Sequence, residues 1–137
     1  MKFLITLLLT LTMLSCKKND LTKGIGEEIT LCFGDKGIIS ELENQLEIEF
    51  INLVEDSRCP EGSQCIWAGR AVIELRINSI AEVKIGIGDL QSATNAPILN
   101  IVEFDKYRIA LLVVSYDKKR HRGKEEKYFA VLRVDRK

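Results

Sequence analysis

Histidine is nearly absent, with His121 alone in a chain of 137 residues. A histidine-centred hydrolase or a His-rich metal site therefore has almost nothing to be built from. A charge excess is absent too, since 20 basic side chains face 20 acidic ones. A dedicated nucleic-acid binder would carry a clear basic surplus, so no nucleic-acid partner is expected. No apolar run approaches the ~20 residues needed to cross hydrocarbon. Internal repeats and low-complexity segments are missing, and the length suits one domain. What remains is an ordinary globular composition in which four cysteines are the unusual ingredient.

The N-terminus supplies an address. Met1-Lys2 is followed by an apolar run from Phe3 to Leu14 and then by Ser15-Cys16. A cation, a short apolar core and a small residue make a secretory signal. Met13-Leu14-Ser15-Cys16 resembles the lipobox of bacterial lipoproteins, with Met13 where leucine is usual. That resemblance implies lipidation of Cys16, which would become the first residue after cleavage. Residues 1–15 then read as a lipoprotein signal peptide, 16–27 as a lipidated, flexible tether and 28–137 as the folded domain. The membrane is thus the first expected partner, reached through acyl chains such as palmitate. Lys17 stands where an Asp retains enterobacterial lipoproteins at the inner membrane, which favours the outer membrane.

From Glu28 onward apolar residues recur mostly at every second position, the period of strands. Ile29, Leu31 and Phe33 form one side of a first strand, closed by Gly34-Asp35-Lys36-Gly37. Leu46, Ile48 and Phe50 mark a second, Ala71 to Ile77 a third, and Val83, Ile85 and Ile87 a fourth. Ile98 to Phe104 makes a short fifth after the break at Asn95-Ala96-Pro97. Tyr107 to Tyr116 and Lys127 to Val134 read as a hairpin with a long charged connection, Asp117 to Glu126. The pattern predicts an all-β fold, an antiparallel β-sandwich or small barrel of about seven strands.

One stretch is distinctive: Asp56-Ser57-Arg58-Cys59-Pro60-Glu61-Gly62-Ser63-Gln64-Cys65-Ile66-Trp67-Ala68-Gly69. In an exported protein two cysteines so close, with Pro and Gly between them, are expected as a disulfide, Cys59 to Cys65. Trp67 is expected to pack over that bridge, and Asp56 and Arg58 to pair with each other or with turn backbone, or else to face a partner. The run S-R-C-P-x4-C-x-W-A-G, followed by an alternating strand, resembles an uncharacterised family of small bacterial secreted proteins and lipoproteins. The resemblance covers about Leu46 to Ile77 and implies a compartment and an architecture, not an activity. Cys32, on the polar side of the first strand, is expected to serve as a small hydrophobic thiol.

Other constellations fall short. Gly86-Ile87-Gly88 lacks the third glycine and the helix of a dinucleotide loop. The run Lys118-Lys119-Arg120-His121-Arg122 reads as a solvated loop or as a contact for acidic headgroups. No pair of carboxylates stands in a setting that raises a pKa. The leading expectation is a lipid-anchored envelope β-domain that binds rather than catalyses, with Asp56, Arg58 and Trp67 as candidate binding residues. Its partner would be an envelope protein or a glycan; no catalytic residue, metal or cofactor is expected. The alternative is a redox or metal-handling envelope protein using Cys32, Cys59 and Cys65.

Overall fold

Alternation of apolar and charged residues becomes two facing sheets. The computed structural model describes residues 21–60, 62–90, 98–116 and 128–137. Among them lie nine strands and no helix: β1 (Leu21–Gly24), β2 (Glu28–Cys32), β3 (Lys36–Glu41), β4 (Asn44–Asp56), β5 (Arg70–Ile77), β6 (Ala81–Gly88), β7 (Ile101–Phe104), β8 (Tyr107–Tyr116) and β9 (Tyr128–Arg136). A five-stranded sheet runs β1-β3-β4-β5-β6 and a four-stranded sheet runs β2-β9-β8-β7. All neighbours pair antiparallel except β1, which lies parallel to β3. The domain is therefore an all-β sandwich, with nine strands where about seven were expected.

The core is the set of inward-facing residues of both sheets. Leu46, Ile48 and Phe50 of β4 and Ile73, Leu75 and Ile77 of β5 come from one side; Ile29, Leu31, Ile109, Leu132 and Val134 come from the other. Every core member is apolar or aromatic, and no polar or charged residue among those described is buried. Outward positions carry charges that pair across strands. Arg76 of β5, for example, meets Glu49 at 3.3 Å and Glu82 at 2.9 Å. Such exposed pairs contribute a few tenths of a kcal/mol each, so the sandwich is held by its interior.

Two strands lie where the alternation is silent. β3 contains Gly37, which reads as turn but faces the interior. A Cβ there would collide with the Cδ1 of Ile29 and come within 2.8 Å of the Cδ2 of Leu31. The missing side chain is the space into which β2 packs. β1 falls inside the stretch read as tether, so residues 21–24 join the sheet instead of floating free of it.

Register defines the two ends of the sandwich. The β3–β4 and β5–β6 turns close one end; both are tight, with Leu42 at φ 46° in the first and Asn78 and Ser79 at φ 49° and 58° in the second. At the other end β4 gives way to β5 through residues 57–69. β3 stops pairing at Lys36 opposite Glu49, whereas β4 and β5 continue as a pair to Asp56 opposite Ala71. The β4–β5 arm thus projects beyond β3 and β1. It is bent by two register shifts, between Phe50 and Asn52 and between Leu53 and Glu55, as bulged strands are.

Candidate functional site

The distinctive stretch forms the tip of this arm. Its base is tied by backbone: Ser57 N–H donates to the Arg70 carbonyl at 2.8 Å, and Asp89 N–H donates to the Gly69 carbonyl at 2.9 Å. The Ser57 hydroxyl donates to Glu55 at 2.9 Å and accepts from Arg70 N–H at 3.1 Å. Gly69 sits at φ 68° with the Ser57–Arg58 backbone pressed against it, a position where only glycine fits. Above the base, Cys59 and Cys65 are joined by a disulfide with their Cα atoms 5.8 Å apart. Closing seven residues removes unfolded-state freedom equivalent to about 2.4 kcal/mol in the chain-entropy account.

Asp56 and Arg58 pair with each other, as one of the two sequence readings held. The guanidinium grips the carboxylate through Nε and Nη2, both at 2.8 Å. Arg58 Nη1 then donates to the Val114 carbonyl of β8 at 2.7 Å, and the Tyr128 hydroxyl of β9 donates to Asp56 at 3.1 Å. Tyr128 packs edge-on against Tyr116, ring centroids 5.3 Å apart. A carboxylate at the end of one sheet is thereby bound to backbone and phenol of the other. The pair is a clamp between sheets, with little of its bonding capacity turned outward.

Burial alone would raise the Asp56 pKa, but the hydrogen bonds and charge of Arg58 outweigh it and hold the carboxyl below its ordinary 3.8. In return the hydrogen bonds that Arg58 donates to Asp56, working against partial burial, raise the Arg58 pKa further above its ordinary value. Because the folded pKa of Asp56 is depressed, the clamp's stabilisation is fully present above about pH 4 and fades as pH falls through the lowered value. Arg58→Ala is expected to cost about 2 kcal/mol at pH 7, since it strands a half-buried carboxylate and a carbonyl. Urea denaturation of both proteins at pH 7 and pH 3 checks this. The gap should narrow in acid, and a gap independent of pH would rule out the clamp.

Trp67 stands on the same tip. It is 57% exposed, and its indole N–H donates to the Ser57 carbonyl at 3.0 Å. The ring is therefore oriented by its polar edge and left largely bare, not folded into the core. Ile66 beside it is fully exposed, a residue the sequence offered no reason to single out. The tip thus presents two adjacent apolar side chains on a base fixed by a disulfide, a glycine and an ion pair.

Cys32 lies elsewhere, at the end of β2 and paired with Phe129. It is 2% exposed, although alternation places it on the polar side of the strand. It is disulfide-bonded and so not the thiol expected. Among the described residues no group of three or more His, Cys, Asp or Glu is placed to hold a metal ion. Cys16, the signal peptide, Glu61, Asn95-Ala96-Pro97 and the run Lys118–Arg122 with His121 lie outside the described residues. The chain matches no protein-family model, no curated protein and no solved structure.

Proposed function

We propose that this chain is a lipid-anchored β-sandwich of the cell envelope that works by contact, not catalysis, through the tip of its β4–β5 arm. The observation that carries the contact reading is the pair Ile66 and Trp67, bare to solvent on a rigid, disulfide-closed base. Loops on a fixed β scaffold are where recognition commonly resides, and rigidity lowers the entropy lost on binding. Asp56 and Arg58 support the tip instead of meeting the partner. The anchor reading is supported by the lipobox-like Met13-Leu14-Ser15-Cys16 after an apolar run.

Anchor and disulfides make competing demands on Cys16. An acylated Cys16 carries a thioether and cannot form a disulfide, and once Cys59 and Cys65 are bridged only Cys32 remains of the four cysteines. Intact mass of the protein extracted from membranes decides the matter. A chain beginning at Cys16 with added acyl mass is the expected result. A chain with no acyl mass and two disulfides would overturn the anchor.

A further inference from the structure

We infer that this chain pairs with a second copy of itself along β6, an edge strand of the five-stranded sheet. The contact is distinct from the Ile66–Trp67 tip and asks nothing of the N-terminal segment. Backbone direction comes first. Gly86 N–H donates to the Leu99 carbonyl at 3.1 Å, so it points away from β5. Backbone groups alternate sides along a strand, and β6 pairs with β5 without a register shift. Lys84 and Glu82 therefore aim their amides and carbonyls off the same edge, where no strand among the described residues pairs with them.

Charge then selects the occupant. Glu82 and Lys84 lie two residues apart on the outward face and flank the partly buried Val83. An antiparallel second copy centred on Val83 sets each Glu82 opposite Lys84 of the other copy. A slip of two residues either way would set Glu82 against Glu82 or Lys84 against Lys84, so the charges fix one register. The pairing also extends a ladder already present. Glu49, Arg76 and Glu82 alternate in sign across the outward face, at 3.3 Å and 2.9 Å. Lys84, which makes no ion pair among the described residues, is the next rung when a second copy supplies it. Of the four edge strands β6 alone carries both an acid and a base; β1 has only Lys23, β2 only Glu28 and β7 only Glu103. A charged edge deters foreign strands, but this one is complementary to itself. The same register brings Ile80 of each copy level with Gly86 of the other, where Leu99 is bound. Ile80 and Leu99 are both strongly exposed, and the pairing gives each an apolar neighbour.

Sedimentation equilibrium of the full chain, in detergent matched to the solvent density, reads the association directly. Wild type should pass from one chain to two as concentration rises. Lys84→Glu leaves two carboxylates on the edge and Glu82→Lys leaves two cations. Each alone should weaken association by about tenfold or more. An equimolar mixture of the two variants should pair again, which also shows that both are folded. Wild type that stays monomeric to about 0.5 mM overturns the inference. So does association that the single variants leave unchanged, or that their mixture fails to restore. Loss of association in Ile66→Asp, with β6 intact, would assign the contact to the tip and overturn it too.

Discussion

Gly69→Ala is expected to destabilise the domain by about 3–4 kcal/mol, far more than a glycine substitution in an ordinary turn. Two costs combine. A residue with a Cβ is strained at φ 68°, and here the Cβ would also run into the Ser57 carbonyl and approach Arg58 Cα to 2.7 Å. Those are backbone atoms fixed by the Ser57 and Arg70 hydrogen bonds, with no flexible side chain to give way. Gly62, at φ 79° with nothing near its would-be Cβ, is the matched control. Gly62→Ala should cost only about 1 kcal/mol. Urea unfolding of the two variants measures the difference, and equal costs would mean that the crossing of residues 57 and 69 is looser than described. The same substitution should move the Trp67 emission, since the Ser57 carbonyl that orients the indole is the group displaced.

Phe50→Ala should be of similar size, about 3–5 kcal/mol, for a different reason. Phe50 is the largest fully buried side chain among the described residues, on the last stretch of β4 before its first bulge, and meets Phe33 edge-on at 5.6 Å. Truncation opens a cavity between two sheets that are each stiffened by their ladders and collapse poorly around it. Thermal unfolding would register a fall of roughly 15 °C for a domain of this size. Phe50→Leu, which keeps most of the volume, should lose no more than about 1.5 kcal/mol. A truncation as mild as the leucine change would show that the sheets do not close on this ring.

Most of the core was legible because it obeys a single rule. Leu46, Ile48 and Phe50 alternate with Glu47 and Glu49, Ile73, Leu75 and Ile77 alternate with Glu74 and Arg76, and all six face inward, whereas Ile109 lies in an almost continuous apolar run. β1 and β3 escaped that rule. Leu21 to Gly24 has one apolar residue, Leu21, which packs against the core while the rest of the strand is held by backbone pairing, and in β3 the glycine that reads as a turn is an inward position emptied for Ile29 and Leu31. At the tip, the disulfide and the Asp56–Arg58 pair follow from local spacing. The orientation of Trp67 does not, because it depends on a carbonyl ten residues earlier. The tie to Val114 and Tyr128 depends on the packing of one sheet over the other. The exposure of Ile66 carries no sequence signature at all.

The parallel pairing of β1 with β3 also sets how the domain bears a pull. A load arriving through the N-terminal segment runs along the axis of β1, so the ladder from Leu21–Gly37 to Gly24–Ser40 is sheared as a unit and not peeled bond by bond. If it yields, β1 and the three residues before β2 become linker, adding about 24 Å of reach. The pull then passes to β2, which is held antiparallel along its full length by β9. For a domain held at its N-terminus, as proposed, the first strand would act as a mechanical fuse, giving way while the two-sheet body stays folded.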